Sequence, residues 1–406
     1  MKPFVIDKEQ IFHYKRLLKD INNSHHYYKS YKSFKLYDFF LNCIIALLSN
    51  KNLILLDADL NLSEMKDSAI NAHLNEKELI EPLHFDSFTK LVDQLLKSTS
   101  IITIFTSGTT GQPKKVDHSI TTLTRAVRKH EKYTDQVWGF AYNPTHMAGL
   151  QVFFQAFENG NAIVNIFNKS RIDVFNAIEK YQITNISATP TFYRLLFPVE
   201  KEYPSVVRIT LGGEKSDKKL FESILKTFPN AKINNIYAST EAGSLLAANG
   251  EDFQIPKISK DKFQIKNGEL LIHRSLLGRS EDFSLTEDYY YTGDLVEWVD
   301  EEIGLFRFKS RKNELINVGG YKVNPSEVEE AILELPQIQH VLVYGKPNSV
   351  LGNVICAEIK LIKESSLLES EIRTYLSEKL QDYKIPRRIK FVETIKLTRT
   401  GKLQRL

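Results

Sequence analysis

From about residue 100 the chain alternates between short apolar runs and segments whose apolar residues recur at helical spacing. The runs predict buried strands and the spaced segments predict helices. The predicted strands are SIITIFTS (100–107), VWGFAY (137–142), NAIVNIF (161–167), ITNISAT (183–189), VVRITL (206–211) and INNIY (233–237). The predicted helices are MAGLQVFFQAF (147–157), IDVFNAIEKY (172–181) and DKKLFESILKTF (217–228). Strands that alternate with helices favour right-handed βαβ units and a largely parallel sheet covered on both faces.

The first hundred residues follow a less regular pattern. Large apolar residues recur at helical spacing in LYDFFLNCIIALLSN and predict a helix over 36–50. The segment NLILLDADL (52–60) that comes next predicts a buried strand. Helix and strand thus precede the regular region, but their order alone does not define a domain.

After about residue 260 the pattern changes to short strands. FQIKNGELLIHR (263–274) predicts a hairpin that turns at Asn267 and Gly268, and further strands are expected over 290–310. From about Arg311 onwards, helices are predicted at 325–335 and 367–380, and strands at 340–345, 354–361 and 387–393. The sequence therefore predicts an α/β protein with two domains. Residues 1–309 form a large N-terminal domain of parallel βαβ sheets with a small β-rich subdomain, and residues 310–406 form a small, mobile C-terminal α/β lid.

Composition narrows the functional classes. The 54 basic residues nearly balance the 50 acidic ones and are scattered, which does not favour nucleic acid as a partner. No apolar run approaches the roughly 20 residues of a membrane helix, so membrane insertion is not expected. The N-terminal MKPFVIDKEQ lacks an apolar signal core, and Cys43 and Cys356 lie far apart in apolar stretches. A cytoplasmic enzyme with two buried free thiols is therefore expected.

A glycine- and hydroxyl-rich segment, TSGTTGQPKK, follows the first strand of the regular region. Its glycines allow the backbone to turn sharply, and its hydroxyls and lysine are suited to phosphate oxygens. It lacks the Gly-Lys-Ser/Thr ending of the Walker loop, and in isolation such a turn is more often an ordinary surface loop. As a triphosphate-binding loop it would use Thr106, Ser107, Gly108, Thr109, Thr110, Gly111 and Lys114.

A second segment, YASTEAG (237–243), directly follows a predicted strand. Tyr237 is suited to stack on a base, Thr240 to bind a phosphate oxygen and Glu241 to hold Mg²⁺. On its own, the same segment would be read as a turn with a solvated glutamate.

Three more segments complete the set. YYTGDLVEW contains Asp294, a candidate acceptor for both ribose hydroxyls; residues 310–332 contain Arg311 and the pair Gly319 and Gly320. TRTGKLQR contains Lys402, which in isolation would be a solvated lysine near the C-terminus. None of the three is specific alone.

In this order, the five segments resemble the superfamily of adenylate-forming enzymes, which includes acyl- and aryl-CoA synthetases, adenylation domains and luciferases. The resemblance runs from about residue 36 to the C-terminus. It implies that Thr106–Lys115 is a mobile phosphate loop, that Tyr237 lies beside adenine, and that Thr240 contacts the α-phosphate. Glu241 would be the Mg²⁺ ligand.

The resemblance implies further roles elsewhere in the chain. Gly212, Gly213 and Glu214 would line adenine and the acyl pocket, and Asp294 and Arg311 would bind the ribose hydroxyls. Lys402 would be the lid lysine that binds both the substrate carboxylate and the α-phosphate. In NPTHMAGL, His146 would lie between the adenylate and the thiol tunnel, which Gly319 and Gly320 would help to form.

The implied activity is ATP- and Mg²⁺-dependent conversion of a carboxylic acid to an acyl-AMP, followed by thioester formation. Coenzyme A is the expected thiol, which would make the protein an acyl- or aryl-CoA ligase. Two alternatives stay open. The acyl group could pass to the phosphopantetheine of an acyl carrier protein, or the chain could be a degenerate nucleotide-binding or scaffolding relative.

Four departures from the family pattern qualify these expectations. The part ahead of the phosphate loop is short, which leaves room for a partner contact or a more open pocket. Lys115 replaces the usual glycine and is expected to face solvent, and Asn313 takes the hinge position. NPTHMAGL lacks the aspartate that binds an α-ammonium group, which favours a simple aliphatic or aromatic acid. The expected pocket is lined by residues 146–149, 189–193 and 238–246.

Overall fold

The computed structural model describes residues 2–58, 74–106, 114–248, 250–318, 321–348 and 352–396. The chain forms two compact units. Unit 1 consists of Met1–Phe263, Ile272–Tyr290 and Ile303–Leu305, and unit 2 of Gln264–Leu271, Tyr291–Glu302 and Phe306–Leu406. The strands predicted after residue 260 are thus shared between the units, and the predicted boundary at 309/310 stays a prediction.

The helices and strands follow the predicted alternation over most of the chain. The helices are α1 (Tyr14–Asn22), α2 (Leu36–Leu48), α3 (Phe88–Leu95), α4 (Ile120–Thr124), α5 (Met147–Glu158), α6 (Arg171–Tyr181), α7 (Pro190–Leu196), α8 (Lys218–Thr227), α9 (Pro325–Leu333) and α10 (Glu369–Ser377). The strands up to residue 248 are β1 (Pro3–Asp7), β2 (Gln10–His13), β3 (His26–Tyr28), β4 (Ser30–Tyr31), β5 (Leu53–Leu55), β6 (Lys77–Leu79), β7 (Ile101–Thr106), β8 (Lys114–Ser119), β9 (Val137–Phe140), β10 (Ala162–Asn165), β11 (Asn185–Ala188), β12 (Arg208–Gly212), β13 (Lys232–Ser239) and β14 (Gly243–Ala248). The remaining strands are β15 (Asp252–Gln254), β16 (Phe263–Lys266), β17 (Glu269–His273), β18 (Leu285–Thr286), β19 (Tyr289–Asp300), β20 (Leu305–Arg311), β21 (Ile316–Val318), β22 (Tyr321–Val323), β23 (Ile338–Asn348), β24 (Gly352–Leu361) and β25 (Arg388–Phe391).

The centre of unit 1 is an eight-stranded sheet in the order β14-β13-β12-β11-β9-β10-β1-β2. Its inner pairings are parallel, and only the outermost pairs, β13 with β14 and β1 with β2, are antiparallel. Successive residues of β10 enter different hydrophobic clusters, Ile163 with Phe153 of α5 and Val164 with Phe175 of α6. Both faces of the sheet are therefore covered, and the predicted parallel α/β architecture is confirmed.

The sequence pattern did not identify β1 and β2. The short run FVID has no repeat that distinguishes a strand from a loop. In the structure β1 lies between β10 and β2, with Val5 opposite Ile163 in parallel register. The N-terminal segment is thus an inner part of the large sheet.

A second sheet of unit 1 has the order β4-β5-β7-β8. β7 and β8 are antiparallel, and Thr106 lies opposite Lys114, so these two strands flank residues 107–113 on either side. The strand predicted over 52–60 is shorter than expected, since β5 covers only Leu53–Leu55.

Unit 2 contains most of a sheet in which β20, β19, β17 and β16 are successive neighbours. β16 and β17 form the predicted hairpin, and Asn267 and Gly268 both have positive φ, 54° and 74°, as its two-residue turn requires. A further sheet has the order β22-β21-β24-β23, with β25 parallel to β24. Side chains of α9 and α10, including Ile332 and Ile372, pack in one core with this sheet. The predicted secondary structure of the C-terminal region is confirmed.

Cys43 and Cys356 are both buried free thiols, as predicted. Across the described part of the chain, no helix has the length and apolar character needed to cross a bilayer.

Glu158, the last residue of α5, combines burial with a missing partner. Glu158 is 9% exposed, and within the described ranges its Oε1 has no hydrogen-bond partner. Burial raises the pKa of Glu158 to about 7, against the opposing effect of Lys129. In the unfolded chain the carboxyl of Glu158 ionises near its ordinary pKa of 4.5, so the contribution of Glu158 to the free energy of unfolding falls as pH rises from 4.5 to 7.

Glu158→Gln is therefore expected to stabilise the protein at pH 8 by about 1–2 kcal/mol, after allowance for solvent screening, and to have little effect at pH 5. Urea unfolding at the two pH values measures the difference. Glu222→Gln on the exposed side of α8 removes a surface carboxylate and is the matched control. An equal stabilisation by Glu158→Gln at both pH values would rule out a buried, raised-pKa carboxyl.

Candidate functional site

Several of the predicted site residues of unit 1 lie at the carboxyl end of the parallel strands. Gly212 of β12 lies opposite Ile236 of β13, so Gly213 and Tyr237 follow on adjacent strands. Gly213 has φ +83°, which favours glycine in this turn. In open α/β sheets, ligands bind at this carboxyl edge.

Glu214 connects this edge to the start of α7. Its Oε2 accepts a hydrogen bond of 2.9 Å from the backbone N–H of Thr191, within the first turn of the helix. Thr189 caps the same helix by accepting from the N–H of Phe192. Glu214 therefore stabilises the turn that follows β12 by bonding it to α7, a role that the sequence did not predict for this residue.

One residue of the predicted pocket is misplaced. Tyr193 has no exposed surface, and its hydroxyl donates to the carbonyl of Ile186 at 2.9 Å. The pocket-lining range 189–193 therefore extends too far, because α7 directs Tyr193 into the core.

The turn Thr240–Glu241–Ala242 joins β13 to β14, and each of its three carbonyl oxygens accepts a hydrogen bond from a distant segment. His118 Nε2 lies 2.8 Å from the Thr240 oxygen. The Gly278 N–H donates to the Glu241 oxygen at 2.7 Å, and Arg125 Nη2 donates to the Ala242 oxygen. The backbone of this turn is thus fixed, while Glu241 itself is only half-buried and can meet a ligand.

His118 is fully buried on β8. Burial lowers its pKa to about 4, an effect partly opposed by the hydrogen bond to Thr240. The imidazole is therefore neutral at pH 7, and its Nε2 carries the proton, since a carbonyl can only accept. The alternation of the apolar Val116 and His118 with the polar Lys115 and Asp117 is the sequence signal that could have marked His118 as inward-facing, and in the structure Val116 and His118 are both buried.

The donor set at this turn suits a magnesium ion that arrives with a nucleotide. Glu241 supplies a carboxylate, the ligand type that Mg²⁺ prefers. In the described ranges, no group of three or more His, Cys, Asp and Glu side chains is arranged to hold a metal.

His146 is the residue immediately before α5. Its Nε2 lies 3.4 Å from Oδ1 of Asp57, and the hydroxyl of Thr145 donates to the same oxygen. Further along α5, Gln151 accepts from the Ser244 hydroxyl at 2.8 Å, which joins this helix to β14. Asp57 was missed in the sequence, where its only signal is a polar residue at the end of an apolar run.

Asp294 and Arg311, the predicted ribose ligands, lie together in unit 2. Arg311 Nε donates to Asp294 Oδ1 at 2.7 Å; the Asp294 side chain is 9% exposed, whereas the Arg311 side chain is 44% exposed. The nearby carboxylate of Glu269 accepts from the Gly293 N–H at 2.9 Å and from Lys312 Nζ at 3.1 Å. Glu269 therefore holds the residues on either side of the pair, and sequence reasoning missed it.

The remaining predicted residues fall on the phosphate loop and the C-terminal region. Thr106 ends β7, and Lys114 begins β8 and is half-buried. Lys115 is exposed, as predicted. The predicted residues outside the described ranges are Ser107, Gly108, Thr109, Thr110, Gly111, Gly319, Gly320 and Lys402.

The chain matches known proteins over most of its length. The sequence model described as AMP-binding enzyme matches residues 47–264, more than half of the chain, and the AMP-binding enzyme C-terminal domain matches 327–402. The 2-succinylbenzoate–CoA ligase of Staphylococcus aureus (strain MSSA476) is 30% identical in an alignment of 329 residues that covers 74% of this chain and 65% of that protein. The chain thus spans about two thirds of the length of such curated relatives.

Solved structures share the fold. The o-succinylbenzoate CoA synthetase MenE of Bacillus subtilis, in complex with the acyl-adenylate OSB-AMP, superposes with a TM-score of 0.71 at 21% identity, covering 99% of this chain and 94% of that one. The amide bond synthetase McbA of Marinactinospora thermotolerans gives 0.74 at 17% identity, covering 99% and 95%. The likeness in fold and the match to the sequence-family models both agree with the resemblance that the five sequence segments indicated. The chain belongs to the AMP-binding enzyme family, within the superfamily of adenylate-forming enzymes.

Proposed function

We propose that the protein is an ATP-dependent acid–thiol ligase that activates a small carboxylic acid as an acyl-adenylate and then transfers the acyl group to coenzyme A. The observation that carries the proposal is the turn Thr240–Glu241–Ala242, which follows a parallel strand and is fixed through all three of its carbonyl oxygens. A turn held in this way offers a hydroxyl and a carboxylate to a nucleotide without further rearrangement.

In unit 1, Tyr237 would stack on the adenine that Gly213 borders, and Thr240 would bind the α-phosphate. The loop of Thr106 to Lys114 would hold the β- and γ-phosphates. Glu241 would bind magnesium, which, when bound, offsets the negative charge of the phosphate oxygens. The half-buried state of Glu241 and the adjacency of β12 and β13 support these roles.

In unit 2, Asp294 would accept hydrogen bonds from the two ribose hydroxyls, and Arg311 would complete the ribose contact. Their ion pair supports this role, because it holds the carboxylate in one orientation. Lys402 would bind the carboxylate of the acid and the α-phosphate. A carboxylate oxygen of the acid then attacks the α-phosphorus of ATP. The bond between the α-phosphorus and the oxygen that bridges it to the β-phosphorus breaks, and pyrophosphate leaves.

In the second step a thiolate attacks the acyl carbon, and the carbon–oxygen bond to AMP breaks. His146 would border the path of the thiol, and Asp57 at 3.4 Å would restrict the rotation of its ring. Gly319 and Gly320 would line the pantetheine. The names of the relatives favour coenzyme A over a carrier protein as acceptor.

The acid is proposed to be a simple aliphatic or aromatic one. NPTHMAGL carries no aspartate for an α-ammonium group, and the curated relatives are named for 2-succinylbenzoate. That compound therefore comes first among the aromatic acids to be tested.

The test is pyrophosphate release with a panel of short aliphatic, hydroxylated and aromatic acids, 2-succinylbenzoate among them. We expect ATP- and acid-dependent release, and a thioester when coenzyme A is added. The Lys402→Ala protein provides the background rate. Faster transfer to a holo-carrier protein than to coenzyme A would contradict the proposed acceptor. Nucleotide binding without turnover of any acid would instead indicate a degenerate relative.

A further inference from the structure

The segment that begins at the phosphate loop also supports the turn of Glu241. β8 starts at Lys114 and ends at Ser119, and His118 within it bonds to the Thr240 oxygen at 2.8 Å. The backbone of Asp117 exchanges two hydrogen bonds of 2.8 Å with Arg279, which brings Gly278 against the His118 ring. A Cβ at residue 278 would lie 2.5 Å from Cε1 of that ring, so only glycine fits.

Arg125 is the second side chain that holds the turn. It directly follows α4, which in turn follows β8. Its Nη2 donates to the carbonyl of Ala242 and, at 3.0 Å, to that of Leu276. Arg125 thereby joins the turn to the residues just before Gly278, whose own N–H bonds to the Glu241 oxygen.

We propose that His118 and Arg125 are positioning residues for adenylation: they hold the Thr240–Glu241 turn in the shape that binds magnesium and the α-phosphate. This inference rests on the proposed function. The two side chains act through backbone carbonyls of the turn and touch neither the acid nor the thiol in this role. Their removal should therefore weaken the binding of the nucleotide–metal complex more than recognition of the acid, because residues 146–149 and 189–193 of the expected acid pocket lie outside this turn.

A general acid–base role for His118 is excluded by its surroundings. The side chain is fully buried, its Nε2 is engaged with Thr240, and the Gly278 backbone covers the ring. A proton on the substrate has no route to it. Positioning is the function that this geometry allows.

The test compares His118→Leu with His118→Gln, because the glutamine amide can still donate to the Thr240 oxygen. In pyrophosphate exchange, His118→Leu is expected to raise the apparent KM for Mg-ATP and the Mg²⁺ concentration at half-saturation about tenfold, with a clearly smaller increase in the KM of the acid. His118→Gln is expected to restore both values to within about threefold of wild type. Arg125→Met and Arg125→Lys form the parallel pair.

His130→Leu, at an exposed position, is the matched control for the loss of an imidazole. Thermal unfolding establishes that each variant is folded; if His118→Leu is not, the Arg125 pair and His118→Gln decide the question. Equal increases in the KM of ATP and of the acid would overturn the proposal, as would a fall in kcat alone or no rescue by glutamine. Calorimetric titration with Mg-ATP compares the affinities of the same variants for the nucleotide without turnover. If the wild type binds Mg-ATP but activates no acid, the proposed function fails, and the titration still tests the positioning role.

Discussion

Lys402→Ala is expected to slow acyl-adenylate formation several hundred-fold while the affinity for ATP stays close to that of the wild type. Two anions, the carboxylate and the α-phosphate, must approach each other in this step, and a cation that binds both offsets their repulsion. Removal of one such contact costs about 3–4 kcal/mol in the transition state. Acid-dependent pyrophosphate exchange measures the rate, and equilibrium titration with ATP measures the affinity.

Lys396→Ala is the matched control, because it removes an exposed lysine six residues upstream and should leave exchange unchanged. Wild-type exchange in the Lys402→Ala protein would refute the assignment. A parallel loss of ATP affinity would indicate a nucleotide contact common to ground state and transition state.

Asp294→Asn is expected to weaken AMP binding about 100-fold, because a charged acceptor of two hydroxyl hydrogen bonds becomes a neutral amide. The ion pair with Arg311 is lost in the same variant, so the guanidinium is also less well oriented. Calorimetry with AMP and with 2′,3′-dideoxy-AMP separates the two effects. The wild type should prefer AMP strongly, and the variant should bind both nucleotides almost equally.

Asp300→Asn makes the same chemical change farther along β19, at an exposed residue, and should leave AMP affinity unaltered. A variant at Asp294 that still discriminated between the two nucleotides would show that another group binds the ribose hydroxyls.

The elements that the sequence predicted well are those with a strong local pattern. Runs rich in apolar residues identified β9 to β12, because strands buried on both faces carry few charged residues. The dipeptide Asn267-Gly268 identified the hairpin, since few other residues accept its two positive φ values. The pairing of Asp294 with Arg311 came from the family resemblance, and the structure brings the two side chains together.

His118, Arg125 and Asp57 were not identified from the sequence, because their hydrogen-bond partners are far away in the chain. His118 and Thr240 are 122 residues apart, and Arg125 and Ala242 are 117 apart. Asp57 lies 88 residues from Thr145, to which it is hydrogen-bonded. No local spacing encodes such contacts, which arise only when the strands come together. Glu269 was missed for a different reason: its polar neighbours in the hairpin make it look like an ordinary surface residue.

The inner position of β1 bears on the order in which the large sheet can assemble. β1 is synthesised long before its parallel neighbour, because Val5 pairs with Ile163 (163 − 5 = 158 residues later). Loops of this length close slowly, and parallel pairing is among the slowest steps of folding. Until β10 leaves the ribosome, one edge of β1 has only non-native partners. The large sheet is therefore completed late, through one of its earliest strands.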